Sequence, residues 1–237
     1  MQVFTSRFLG LQDRLKSHPE ITEIIETPGV IPLQWDASSS WHRAVQVGEL
    51  ASSLKGLVEL VDNNPLVCGD EFSVPDAAST LALIAIGPLA TSGLLIEPPV
   101  MMTNAPADED RIASFLQTEG WLSGLTLHVE EKDLGSVYAS TVVCAIQTPS
   151  RAEDLDDLFA ERYSRSLYVR EAGEDEWHAQ SVEGKPHAEY RLRFAPDHPH
   201  SLLTIQVMAD SNGKCGSAQI VHAFNVMCGF EESLGIT

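Results

Sequence analysis

The chain has 237 residues, 43% of them hydrophobic and 21% charged, a balance that excludes global disorder and a disulfide-stapled miniprotein and leaves one large α/β domain or two small ones. Against 15 Lys and Arg stand 34 Asp and Glu, a formal net charge of −19, so nucleic acid and anionic membrane are repelled at long range and are not expected as partners. Cys68, Cys144, Cys215 and Cys228 form no CxxC pair and read as reduced, mostly buried thiols. The longest apolar stretch, residues 81–96, is broken by Gly87, Pro88 and Gly93 and falls short of the roughly 20 residues of a membrane span. The opening residues mix acids with bases and show no secretory pattern, which makes the cytoplasm the expected location.

In chain order, Phe8, Leu9, Leu11 and Leu15 fall at helical spacings, and Ser17-His18-Pro19 ends that helix because proline cannot continue it. Residues 21–25 read as a strand and residues 28–44 as a loop-rich insertion holding Trp35 and Trp41 around a run of serines. Residues 56–61 (GLVELV) read as a second buried strand, closed by the turn-formers Asp62, Asn63, Asn64 and Pro65. Pro75 and Asp76 then open an Ala/Leu helix that Pro88 should kink or cut. Residues 100–103 suggest a strand, and residues 107–117 a helix with acids in its first turn.

Beyond residue 120 the texture turns to period two. LTLHVEE, SVYASTVVCAIQ, AEYRLRF and SLLTIQVMA read as strands; Leu125, Leu127 and Val129 share one face of the first, and Tyr190, Leu192 and Phe194 one face of the third. Leu155, Leu158, Phe159 and Arg162 mark an amphipathic helix, and Ile220, Val221, Phe224, Met227 and Cys228 the buried side of a last helix stopped by Gly229. The fold class expected is α/β: a reduced Rossmann-like part over residues 1–120, and over residues 121–237 an α+β domain whose mostly antiparallel sheet carries helices on one face. Such a sheet needs a second cover, which another subunit can supply.

The segment DSNGKCGSAQIVHAFNVMCGFEESLGI, residues 210–236, resembles the closing segment of N-acetyl-γ-glutamyl-phosphate reductase, with Asp210, Lys214, Gln219, Val221, Asn225, Met227, Gly229, Glu232 and Gly235 in one unbroken frame. The related turn of aspartate-semialdehyde dehydrogenase widens this to the superfamily. Upstream, SVYASTVVCAI followed by DLDDLFAERYS and LYVRE resembles the same order of strand, helix and extended segment. FLGLQDRLKSHPEITEI is similar to the family's first helix, and VPDAASTLALIAIGPLATSGLL to the segment that carries its nucleophile. The likeness touches about two thirds of the chain, and it implies the family's dimerisation domain after residue 120.

Laid on that pattern, Ala77 stands where the nucleophilic cysteine belongs, and a methyl group cannot form a thioester. Cys68 is the fallback thiol, on the far side of a turn. Gly10 is the only glycine before residue 29, so the dinucleotide fingerprint is missing, with almost no chain left for a first strand; the family's His-Arg-His-like segment has no counterpart either. The resemblance leaves Asp210, Lys214 and Gln219 as a ligand-binding remnant, with Lys214 either facing a nicotinamide or phosphate or serving as a capping charge. Asp197, His198 and His200 read as a hairpin turn rather than a metal site, and no metal is expected. His222 reads as a satisfied helix histidine. The acidic runs at residues 153–157 and 171–176 read as a helix N-terminus and a solvated loop. The expected function is that of a catalytically degenerate homologue without cofactor, acting as an assembly or interaction subunit that forms a homodimer or joins a related subunit through its C-terminal sheet. The rival readings are an NADP-dependent acyl-phosphate reductase with a shifted site and a small-ligand sensor with a remnant pocket near Lys214 and Asp210.

Overall fold

The computed structural model describes residues 1–173 and 177–236; part of the acidic run after Glu171, Glu174 to Glu176, lies outside them. Two sheets, each with helices on one face, build the molecule. The first has five strands: β1 (Gln2–Thr5), β2 (Glu23–Glu26), β3 (Leu33–Ser38), β4 (Trp41–Val47) and β5 (Glu71–Val74), in the order β2-β1-β3-β4-β5. Helix α1 (Leu11–Lys16) joins the parallel pair β1 and β2, and α2 (Asn63–Cys68) joins the parallel pair β4 and β5; β3 is antiparallel to β1 and β4. These parallel crossovers are the Rossmann-like part.

Helix α3 (Ala77–Ser92) leads to the second sheet, whose six strands run β7-β6-β8-β11-β10-β9: β6 (Val100–Thr103), β7 (Thr126–Val129), β8 (Val137–Gln147), β9 (Val169–Glu171), β10 (Ala188–Ala195) and β11 (His200–Asp210). β8 and β11 pair antiparallel over their full length, from Val137 with Asp210 to Gln147 with His200. Every second residue, Val142, Cys144 and Ile146 on β8 and Leu203, Ile205 and Val207 on β11, packs under α3, α4 (Glu109–Leu116) and α5 (Glu153–Tyr163). The last helix, α6 (Ser217–Cys228), crosses back and packs with α1 and α2 on the first sheet, where Trp35 meets Phe224 edge to face at 5.0 Å.

Several expectations need correcting. A first strand does exist: β1 is short, and it pairs parallel with β2. Residues 28–44 are largely a β-hairpin, β3 and β4, in which Leu33 and Trp35 face the core while Gln34 and Asp36 face outward; the serines form its tip. Residues 56–61 turn instead of extending, so that Leu57 and Val58 are buried and Glu59 points into the protein. Residues 62–65 do not close a strand; Asp62 precedes α2, where Pro65 in the first turn displaces no intrahelical donor. Val129 is exposed and does not share the buried face of Leu125.

Pro88 does not cut α3, which runs on to Ser92 and stops at Gly93 (φ +71°). A proline lacks the N–H that would have bonded the carbonyl four residues back. Here that carbonyl, of Ile84, accepts from the Tyr163 hydroxyl of α5 at 3.1 Å. The helix is thereby held continuous by a partner from the neighbouring element.

Candidate functional site

The candidate site lies where the openings of α3 and α6 meet. At α3, Pro75 leads into Asp76, whose Oδ1 accepts from the Ser79 amide at 2.9 Å, and Ala77 is the first helical residue. The other oxygen of Asp76 faces Arg111 of α4, 3.5 Å away. The positive end of α3 is therefore already occupied by a carboxylate with its own counter-ion. At residue 77 the side chain is a half-buried methyl.

The thiol brought nearest to this point is Cys215, whose Sγ donates to the Ala77 carbonyl at 3.8 Å. Sequence comparison missed it, because it stands in the turn before α6 and not on α3. Burial pushes this thiol well above its ordinary value, against the pull of Lys214 beside it, and it points at a carbonyl rather than at the helix amides. Cys68, the fallback nucleophile, is the last residue of α2, where carbonyls and not N–H groups surround it. Neither sulfur sits in the environment that activates a nucleophile.

The turn at residues 210–216 fits its surroundings through two glycines. A Cβ on Gly213 would lie 2.1 Å from the Lys185 carbonyl oxygen, and one on Gly216 would lie 2.0 Å from that of Ser211. Asp210 at its start accepts from the amides of Asn212 (2.8 Å), Gly213 (3.0 Å) and Gly184 (2.9 Å) and from the Ser136 hydroxyl. Lys214 is 1% exposed, and its Nζ donates to both oxygens of Glu59, at 2.6 and 2.7 Å; Glu59 is itself 4% exposed. Burial raises the Glu59 carboxyl, but Lys214 and His222 outweigh it and hold it below its ordinary value. Nε2 of His222 lies 2.9 Å from Glu232, and its ring packs tilted against Tyr168 with centroids 4.6 Å apart. Gln219 donates to the Pro75 carbonyl at 3.0 Å and to the Thr80 hydroxyl at 3.2 Å, tying α6 to the opening of α3. The structure thus brings Asp210, Lys214 and Gln219 to one place, with the polar atoms of each taken up by protein partners. Glu59 was hidden from sequence reasoning because its partner lies 155 residues away.

The dinucleotide site of a parallel β-α-β unit belongs at the turn from β1 into α1. That turn, residues 6–10, opens on a shallow pocket of about 450 Å³ lined by Arg7, Phe8, Leu9, Gly10, Asp13 and Glu26 among others. Gly10 (φ +72°) supplies one of the three glycines such a cradle uses, and Asp13 sits in the first turn of α1. Glu26, at the end of β2, is bonded by Arg7 at 2.7 Å and by Gln12 at 3.4 Å. Two carboxylates and one already paired cation do not fit a pyrophosphate. His198 and His200 are exposed and Asp197 caps its own turn; among the described residues no group of three or more His, Cys, Asp or Glu is placed to hold a metal ion. Among the same residues no helix is long and apolar enough to cross a membrane.

No protein-family model matches the chain, and no curated protein sequence matches it. Solved structures do. Aspartate semialdehyde dehydrogenase II from Vibrio cholerae aligns with a TM-score of 0.62 over 96% of this chain and 98% of that one, at 12% identity, both in its complex with ASA and without that designation. The chain has the aspartate semialdehyde dehydrogenase fold. At this identity the likeness concerns the fold alone.

Proposed function

We propose that this chain is a catalytically silent relative of the semialdehyde dehydrogenases, a cytoplasmic assembly subunit that pairs with a second copy or a related subunit and binds no NADP. The observation that supports it most is the first residue of α3. A methyl stands there, the adjacent helix end is occupied by Asp76, and the nearby thiol of Cys215 is buried and held protonated. A reductase with a shifted site would need an activated thiol, which neither Cys215 nor Cys68 is placed to be. A sensor built on Lys214 and Asp210 would need their polar atoms available, and both are buried and bonded within the chain.

The surface for assembly is the face of the second sheet away from α3, α4 and α5. Val100, Met102, Val143, Ala145 and Leu202 lie there among threonines, with Leu202 52% exposed. Toward one edge of this face lie Arg191 and Arg193 of β10, and the loop after β7 carries Glu130 and Glu131 beyond the opposite edge. Two copies related by a two-fold axis can therefore set opposite charges against each other around an apolar centre. Light scattering after size exclusion tests this: a dimer is expected, and Leu202→Asp should weaken it at least about tenfold. A strictly monomeric wild-type chain at high concentration, or tight NADPH binding by calorimetry, would overturn the reading.

A further inference from the structure

The first sheet carries α1, α2 and α6 on one face. On the other face an open groove of about 870 Å³ reaches from the loop after β2 to the tip of the β3–β4 hairpin. Strand alternation sets its character: Val3 and Trp35 turn to the helices, while Phe4, Gln34, Asp36 and Ala44 turn the other way. Its walls are apolar. Val30 of the loop is 94% exposed and Trp41 at the hairpin 36% exposed, with Phe4 and Ile31 also lining the groove. The exposed carboxylates of Asp36, Asp70 and Glu71 lie in the same groove. Asp36 pairs with His42, Asp70 accepts from the Trp41 indole, and Glu71 accepts from Gln46 at 2.8 Å. Among the described residues no Lys or Arg forms an ion pair with any of the three. Arg43 also lines the groove, but its guanidinium is spent on the carbonyls of Leu66, Val67, Gly69 and Met227 at the ends of α2 and α6.

We infer that this groove docks a basic segment of a partner protein, one in which Arg or Lys alternates with apolar residues. Charge complementarity selects that occupant. A second copy would set the same carboxylates against each other across a two-fold axis and is repelled. The long stems of Arg and Lys can lie along Phe4, Val30 and Trp41 while their charged heads reach Asp36, Asp70 and Glu71. An open groove encloses too little of a small molecule to hold it as a closed pocket does, whereas a length of chain laid across it covers the apolar walls. The net charge of −19 steers such a partner from a distance. The groove is on the other sheet from the face proposed for the pairing of copies, and either surface can fail without the other.

The test is the fluorescence anisotropy of a labelled peptide of about eight residues, arginine alternating with leucine, titrated with the full chain at about 0.15 M salt, where distant surface charges are screened. Saturable binding of one peptide per chain is expected, and a peptide with glutamate in place of arginine should not bind. Asp36→Asn combined with Asp70→Asn and Glu71→Gln should weaken binding at least about tenfold. Val30→Ser removes apolar surface at an exposed loop residue and should weaken it at least about threefold. The control removes as much charge elsewhere: Glu153→Gln with Asp156→Asn and Asp157→Asn, exposed on α5, should change binding less than about twofold. Should the triple groove variant fail to fold, Val30→Ser decides alone. No saturable binding, equal binding of the glutamate peptide, an equal loss in the α5 control, no loss in Val30→Ser, or dissociation of a dimer by the groove variants would each overturn the inference.

Discussion

The openings of α3 and α6 are neighbours, tied by Gln219, whose side chains are engaged in different ways. At α6 the turn keeps Asp210, Lys214 and Gln219, yet each polar atom is bonded inside the protein: Asp210 to three amides and a hydroxyl, Lys214 to Glu59, and Gln219 to the start of α3. At α3 the capping arrangement is complete, with Asp76 on the Ser79 amide, and the first helical residue, Ala77, carries only a methyl. A polar residue with internal partners is held by folding energetics, because removing it strands a buried group. A nucleophile has no such support, since its task needs an exposed and poised sulfur. On the proposed reading, the same neighbourhood has its polar frame fixed by folding and carries no nucleophile.

That contrast is sharpest at Lys214. Lys214→Ala leaves the Glu59 carboxylate buried without its cation and should cost about 3–5 kcal/mol in urea unfolding, whereas the paired change Lys214→Met with Glu59→Leu should cost far less. The same pair sets an acid limit. Glu59 has a folded value below its unfolded one, so its contribution is present above the unfolded carboxylate range and is lost as pH falls through the folded value. Glu59→Gln should accordingly flatten the acid limb of the stability profile; an unchanged limb would mean that the carboxylate is not held by Lys214.

A smaller loss is expected at the α3 proline. Tyr163→Phe removes the donor that serves the Ile84 carbonyl and should cost about 1–3 kcal/mol in thermal or chemical unfolding. The smallest effect belongs to Ala77 itself. Ala77→Cys adds one sulfur at a half-buried helix start and should shift stability by less than about 1 kcal/mol while creating no aldehyde-oxidising activity, since Asp76 still occupies the helix end. Measurable turnover in that variant alone would show that the rest of an active site survives.

Where hydrophobic period and local signals agreed, the elements were readable. The two-residue alternation of β8, β10 and β11, the Pro-Asp entry of α3 and the Gly229 stop of α6 all lie in local sequence. Residues 56–61 misled because GLVELV has a strand's composition, whereas it turns, with the amides of Leu60 and Val61 on the Leu57 carbonyl, and presents Glu59 to Lys214 from a distant part of the chain. The β3–β4 hairpin did carry a signal, with Leu33 and Trp35 alternating against Gln34 and Asp36, but the serine run masked it. At the site, the absence of a cysteine at residue 77 could be read directly. The arrival of Cys215 beside it could not, because only the fold brings the turn before α6 to the opening of α3.

The most direct test of a silent site is the reaction itself. Purified chain, aspartate semialdehyde or an N-acylated glutamate semialdehyde, phosphate and NADP are combined and followed by the absorbance of reduced nicotinamide, with calorimetric titration of NADPH alongside. The account predicts no phosphate-dependent reduction of the nicotinamide and no binding at micromolar cofactor; phosphate-dependent turnover abolished by Cys68→Ala or Cys215→Ala would contradict it.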